Sequence, residues 1–133
     1  MNKPRWKKSQ TAVYNLSYHL IWCPKYRRKV LTGAVAERLE ALIVQKVREL
    51  DCSVEELEIM PDHVHLFIKA APNHAPQWIV GQVKGFSARI LREEYPELKS
   101  KLPSLWTRSY YVESVGDISE ETIRQYIADQ KGR

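Results

Sequence analysis

The sequence predicts an α+β sandwich, in which a mostly antiparallel sheet carries helices on one face and a C-terminal helix follows the sheet. Two observations lead to this class. Segments with strand-like alternation are interspersed with segments of helical periodicity along the chain. In addition, two predicted strands are separated by only a short turn. The 133 residues suit one domain with a modest core, which we predict to span residues 1–133 with residues 1–10 as a flexible basic arm.

The first half of the chain predicts three strands and one helix. A strand is expected over residues 13–22, where alternating residues are apolar and one face is buried. A helix is expected over residues 34–50, where apolar residues recur at helical spacing. Strands over residues 52–60 and 63–70 are joined by the turn Pro61–Asp62 and should form a hairpin.

The second half predicts two helices and one strand. A helix is expected over residues 76–93, followed by a loop over residues 94–104. Residues 105–115 are rich in aromatic and β-branched side chains and predict the fourth strand. After a turn at Gly116–Asp117, a last helix is expected over residues 119–130. The order β-α-β-β-α-β-α is that of a ferredoxin-like sandwich.

Basic residues are concentrated near the N-terminus. Of the 21 Lys and Arg, eight lie within residues 1–36, which contain no acid, leaving 13 bases against 16 acids in the rest. This distribution suits a polyanion such as nucleic acid, although a basic arm that only aids solubility is an alternative. Aromatic side chains near these bases could stack on unpaired nucleobases. The cations that could contact phosphates are Lys25, Arg27, Arg28, Lys29, Lys84, Arg89 and Arg92.

Several other classes of protein lack support in the sequence. No segment approaches the roughly 18 consecutive apolar residues that span a bilayer, and no signal peptide is evident. The two cysteines, Cys23 and Cys52, have no metal-ligand spacing and are expected to be reduced thiols in a cytoplasmic protein. No glycine pattern of a phosphate-binding loop is present, so no nucleotide cofactor is expected.

A His-x-His pair lies at the start of the third predicted strand. Residues i and i+2 of a strand point the same way, so His63 and His65 project together from one face. Two adjacent imidazoles can chelate one divalent ion. The alternative is a pair of histidines on a half-exposed strand that bond to water or to backbone.

Tyr126 and Gln130 share one stripe of the last predicted helix. They are one turn apart and therefore face the same way. The Gln130 amide oxygen could be a third metal ligand, with the tyrosine hydroxyl beside the ion. Alternatively, the helix is amphipathic, Tyr126 packs against the core and Gln130 lies in solvent.

Four segments together resemble the single-tyrosine HUH transposases of the insertion-sequence 200/605 group, where HUH denotes His-hydrophobic-His. They cover nearly the whole chain and follow the family's order. The segments are YNLSYHLIWCPKYRR at 14–28, MPDHVHLFI at 60–68, LWTRSYYVESVG at 105–116 and YIADQ at 126–130.

The resemblance implies a specific chemistry and site. It implies a DNA transposase that cuts and rejoins single-stranded DNA at insertion-sequence ends, through a 5′-phosphotyrosine on Tyr126. By position, the ligands of a Mg²⁺ or Mn²⁺ ion are then His63, His65 and Gln130. It also implies recognition of DNA hairpins, and a homodimer in which each active site takes the histidines from one subunit and the tyrosine from the other.

Two alternatives remain open from the sequence. A domesticated, repeat-associated HUH nuclease or a replication-initiator nuclease would use the same chemistry on another DNA target. A non-catalytic single-stranded nucleic-acid-binding module would explain the basic arm and the aromatics. It would not explain the stripe that links Tyr126 to Gln130.

Overall fold

The computed structural model describes residues 7–8, 13–14, 16–115 and 128. The strands in these residues are β1 (Lys7–Lys8), β2 (Val13–Tyr14), β3 (Leu16–Trp22), β4 (Ser53–Met60), β5 (His63–Ala70) and β6 (Tyr111–Val115). The helices in the same residues are α1 (Gly33–Glu49), α2 (Pro76–Glu94) and α3 (Pro96–Lys101), and a 3-10 turn spans Lys25–Arg27.

The sheet confirms the predicted α+β sandwich. Its four strands lie in the order β4-β5-β3-β6, and every neighbouring pair is antiparallel. Helix α1 carries the chain from β3 past β5 to β4, and α2 carries it from β5 to β6, as a ferredoxin-like order requires. A separate two-stranded ladder joins β1 to β2, so Lys7–Lys8 form a strand inside the arm that we expected to be flexible.

The core lies between the sheet and the helices. Val64, Leu66 and Ile68 of β5 are fully buried in one cluster with apolar residues of α1 and α2, as their alternation predicts. Burial of each such side chain contributes about 1.5–3 kcal/mol to stability. This face therefore anchors β5, and the alternate residues of the strand must point away from the helices.

The opposite face of the sheet is also buried at its centre. Ser17 and His19 of β3 and Phe67 of β5 are almost inaccessible to solvent, although they point away from the helix-side cluster. The expectation that residues 13–22 bury only one face is therefore wrong for β3. A buried polar group needs a hydrogen-bond partner, and His19 has one in a histidine of β5.

The loop predicted over residues 94–104 contains a helix instead. Pro96 occupies the first position of α3, where its missing N–H costs nothing, and Glu97 lies in the first turn. Leu98 is buried, so contact with the core stabilises a helix in a segment where Pro96 and Pro103 had predicted a loop. The error arose from treating Pro96 as a breaker rather than as a helix start.

The fourth strand is shorter than predicted, since β6 begins at Tyr111 rather than at residue 105. Leu105 and Trp106 are buried in the core, and Trp106 forms only an isolated antiparallel bridge to Pro24, beyond the end of β3. The carbonyl oxygen of Thr107 accepts a hydrogen bond from the Lys84 ammonium at 2.6 Å. The Lys84 side chain of α2 thus provides a hydrogen bond to a backbone carbonyl that we had expected to bond to a neighbouring strand.

Several predicted features lie outside the described residues. They are the turn Gly116–Asp117, Tyr126, Gln130 and all of the last predicted helix except Ala128, which is helical. None of the helices in the part of the chain that the structure describes is long and apolar enough to cross a membrane.

Candidate active site

The two histidines of the His-x-His pair lie together, as predicted. His63 and His65 point from the same face of β5, with ring centroids 4.8 Å apart and ring planes at 81°. Hydrogen bonds to β4 on one side and β3 on the other hold β5. A strand paired on both sides fixes the spacing of the imidazoles more firmly than a loop could.

His63 is oriented by its neighbour in the sequence. Its Nδ1 lies 2.7 Å from a carboxylate oxygen of Asp62, and the other oxygen of Asp62 pairs with the Arg27 guanidinium at 3.0 Å. Partial burial acts to raise the pKa of Asp62, but the bond and charge of His63, together with Arg27, lower it overall. An ionised carboxylate only accepts hydrogen bonds, so Nδ1 of His63 is the donor in this bond, and Nε2 is the nitrogen left for another contact.

His65 is oriented by a third histidine. Its Nδ1 lies 3.3 Å from Nε2 of His19 on the adjacent strand β3, and the two rings stack with centroids 5.5 Å apart. Burial, and then the neighbouring His63 and His19, lower the pKa of His65 to about 4. Burial also lowers the pKa of His19, against an opposing effect of Glu113. His65 is therefore neutral near pH 7, and Nε2 is its remaining nitrogen.

Three residues of this site were not predicted from the sequence: His19, Asp62 and Arg27. A polar residue inside an alternating strand was a signal for His19, but its neighbour depends on the sheet register. In that register Ile21 lies opposite His65, which places His19 diagonally across from it. Asp62 was assigned to the turn and Arg27 to DNA, although both lie beside His63.

The donor set fits part of a divalent metal site. Each histidine has Nδ1 engaged inside the protein and no hydrogen-bond partner for Nε2 among the described residues, which is the usual arrangement of a metal-ligating imidazole. No group of three His, Cys, Asp or Glu side chains within the described ranges could hold a metal ion. A complete site therefore needs a ligand of another kind or from another part of the chain, and the predicted one, Gln130, lies outside the described residues.

The cations predicted to bind DNA fall into two groups. The first group is engaged by the protein: Arg27 pairs with Asp62, Lys84 bonds the Thr107 carbonyl, and Arg92 donates to the Leu102 carbonyl at 3.2 Å. These contacts give each residue a structural role, although the Arg27 side chain is still 69% exposed.

The second group faces solvent. Arg28, Lys29 and Arg89 are exposed, and Lys25 is partly exposed. Arg28 and Lys29 line an open cavity of about 410 Å³ together with Lys101 of α3. Lys101 was absent from the predicted set because residues 94–104 were expected to be a loop without a defined position.

Comparison with known proteins identifies the family. The sequence profile of the family described as "Transposase IS200 like" matches residues 12–130, which include both histidines and the predicted Tyr126 and Gln130. This chain belongs to the IS200-like transposase family. The resemblance seen in the four sequence segments is thereby confirmed, and the protein is a DNA-processing enzyme by family.

Relatives of this transposase are similar over most of their length. It is 42% identical over 126 residues to the ISDra2 transposase TnpA of Deinococcus radiodurans, covering 93% of this chain and 90% of that protein. It is 29% identical over 119 residues to the transposase for insertion sequence element IS200 of Salmonella typhimurium, covering 88% and 78%. The shared region thus extends well beyond the His-x-His hairpin.

Solved structures agree with the fold of this transposase. The crystal structure of a Deinococcus radiodurans R1 protein assigned as a transposase superposes with a TM-score of 0.76 at 39% identity, covering 93% of this chain and 97% of that one. A REP-associated tyrosine transposase bound to a REP hairpin superposes with a TM-score of 0.62, covering 90% and 67%. At 11% identity, the second likeness shows the shared fold alone.

Proposed function

We propose that this transposase cuts and rejoins single-stranded DNA at insertion-sequence ends through a 5′-phosphotyrosine bond to Tyr126. The observation that carries the proposal is the pair of imidazoles on β5, each with Nδ1 engaged and with no partner for Nε2 in the part of the chain that the structure describes. The similarity to an insertion-sequence transposase at 42% identity favours this target over that of a repeat-associated nuclease or a replication initiator. Membership of a transposase family likewise disfavours a non-catalytic binding module.

We propose that His63, His65 and Gln130 hold one Mg²⁺ or Mn²⁺ ion. A divalent ion held there would polarise the scissile phosphate and help to align it for in-line attack. The histidines bring no negative charge, so they do not offset the charge of the ion. Asp62 and His19 keep the two rings turned so that both Nε2 atoms remain available.

The proposed reaction conserves the energy of the phosphodiester. The Tyr126 oxygen attacks the phosphorus, the bond from phosphorus to the 3′ oxygen breaks, and the leaving strand takes up a proton to give a free 3′-OH. A second 3′-OH can then attack the phosphotyrosine and release the phenol, so rejoining needs no nucleotide cofactor. An ordinary phenol has a pKa near 10, so the attacking oxygen must lose its proton during the reaction.

We propose that the DNA partner is single-stranded DNA with hairpin ends. The exposed cations Arg28, Lys29 and Arg89 and the partly exposed Lys25 would contact its phosphates, and Lys101 extends this set. The hairpin bound to the REP-associated transposase supports the class of ligand, although that similarity is one of fold.

We propose that the working unit is a homodimer with shared active sites. Strand β6 is an edge of the sheet and pairs only with β3 among the described strands. Tyr111 and Val112 on it are 50% and 40% exposed, and an exposed apolar edge favours pairing with another strand. Trp106, which lies in the segment 105–115 that we predicted as the fourth strand, is buried in the core and cannot contribute to this edge.

A covalent adduct tests the proposed function. We expect that incubation with a 3′-labelled single strand carrying an element end will leave labelled DNA attached to protein on a denaturing gel. The adduct should require Mg²⁺ or Mn²⁺ and disappear with chelator. A protein that shifts the same DNA on a native gel but never forms the adduct would be a binding module, and full cleavage in chelator would refute the metal proposal.

A second prediction concerns the orientation of His63. We expect Asp62→Ala to weaken Mn²⁺ binding by about 10- to 100-fold, because His63 loses the partner of its Nδ1–H. Titration followed by electron paramagnetic resonance of free Mn²⁺ measures this directly. Glu94→Ala is the matched control, since it removes a carboxylate from an exposed pair with Arg38 that contacts neither histidine. Equal Mn²⁺ affinity of the two variants would show that Asp62 does not position the ligand.

A further inference from the structure

The 3-10 turn after β3 has an unusual backbone. Tyr26 has φ 60° and ψ 18°, and Arg27 has φ 50°. Both angles lie in the left-handed region, which side chains with a Cβ seldom adopt because the Cβ approaches the carbonyl oxygen. Two consecutive non-glycine residues in this region raise the free energy of the folded chain, so the surrounding contacts must impose the conformation.

These contacts come from the core and from the histidine site. The Lys25 N–H donates to the carbonyl of Leu105 at 2.8 Å, and Leu105 is fully buried. The Arg27 N–H donates to the carbonyl of Pro24 at 2.9 Å, and the Arg27 guanidinium pairs with Asp62. These contacts hold the turn at both ends and so determine its backbone conformation.

The fixed turn displays an aromatic ring to solvent. Tyr26 is 66% exposed, more than the other exposed large apolar residues of the described ranges. Trp78 stacks on His74, and the Tyr111 hydroxyl donates a hydrogen bond to Glu113. The Tyr26 ring instead lies beside the Lys25 ammonium, which is 5.5 Å from the ring centroid. The strained backbone thus holds a large ring where burial does not stabilise it.

The turn that carries the ring lies beside the candidate active site and is rich in cations. Within it, Arg27 bonds Asp62, and Asp62 in turn bonds His63. Arg28 and Lys29 follow directly and are exposed. An exposed aromatic ring flanked by cations is the combination by which proteins bind unpaired nucleotides, with bases stacked on the ring and phosphates held by the charges.

We propose that Tyr26 is a stacking site for an unpaired nucleobase of the DNA strand held at the histidine pair, with Arg28 and Lys29 contacting the flanking phosphates. This inference rests on the proposed function and adds the subsite beside its metal ligands. Stacking does not read hydrogen bonds, so the site tolerates any base and selects for single-stranded DNA over duplex.

The strained backbone offers a test that separates structure from binding. In Tyr26→Gly the ring is lost, but glycine adopts positive φ readily, so the melting temperature should stay close to that of the wild type. Affinity for a single-stranded oligonucleotide should fall about 5- to 150-fold, the range expected for one base stacked on an aromatic side chain. Tyr26→Trp should retain the affinity, since it preserves a stacking surface.

A fluorescent base locates the contact without any cleavage. With 2-aminopurine placed at successive unpaired positions and chelator present, one position should be quenched by the wild type and restored by Tyr26→Gly. Trp78→Ala is the control, because it removes an exposed aromatic ring from α2 instead. An equal loss of duplex binding in Tyr26→Gly, or wild-type affinity and quenching in that variant, would overturn the inference. Absence of any adduct from the wild type would instead count against the proposed function.

Discussion

Replacing Tyr126 with phenylalanine is expected to abolish the protein–DNA adduct while leaving DNA binding intact. The change removes only the hydroxyl oxygen that would attack phosphorus, and it retains the aromatic ring. No other group on that side chain can form the phosphotyrosine, so the loss on a denaturing gel should be complete. Binding measured on a native gel should match that of the wild type.

Tyr111 provides the matched control for this experiment. Its ring lies 6.1 Å from that of His19, so it is a second tyrosine near the histidine cluster. Its hydroxyl is already bonded to the Glu113 carboxylate, and we expect Tyr111→Phe to retain the adduct. If Tyr111→Phe abolished the adduct and Tyr126→Phe retained it, the nucleophile would be on β6 and our assignment would be wrong.

Mixing two inactive proteins is expected to restore cleavage if the active sites are shared between subunits. One protein carries His63→Ala and His65→Ala, and the other carries Tyr126→Phe. In a mixed dimer with shared sites, one site combines the intact histidines of the second protein with the intact tyrosine of the first, while the other site lacks both. Each mixed dimer then has one complete active site, whereas a wild-type dimer has two. The cleavage activity of a mixed dimer should therefore rise from background to about half of that of a wild-type dimer.

The opposite arrangement gives a clear negative result. If each chain completes its own site, both sites in every mixed dimer lack one component and no adduct forms. Different tags on the two proteins establish that mixed dimers are present. If no adduct then forms, slow exchange of subunits is not the reason. That result would rule out sharing in the cleavage step, and it would leave the nucleophile and metal assignments as they stand.

The local parts of the fold and site could be predicted from the sequence. Strand β5 has the predicted bounds, and the direction of His63 and His65 follows from period-two alternation alone. The hairpin of β4 and β5 follows from the short turn at Pro61–Asp62. These features depend on residues within a few positions of one another, where spacing determines direction.

The partners of the histidines could not be predicted, because they depend on which strands are adjacent and in what register. His19 is 46 positions from His65 in the sequence, and Arg27 is 35 from Asp62. The partner of Lys84 could not be predicted for the same reason. Its position on a helix shows that a cation is present, but not whether that cation binds a phosphate or a carbonyl such as that of Thr107. The role of Tyr126 and Gln130 stays a prediction, since both lie outside the described residues.

The position of β5 inside the sheet determines how the histidine pair can be lost. A strand at an edge can fray by giving up one ladder, but β5 pairs with β4 from His63 to Lys69 and with β3 from Val64 to Ala70. Moving the backbone of His65 away from that of His63 would require opening both ladders and exposing the buried face of Val64 and Leu66. Their separation is therefore a subglobal or global unfolding event, while edge strand β6 can open by local fluctuation.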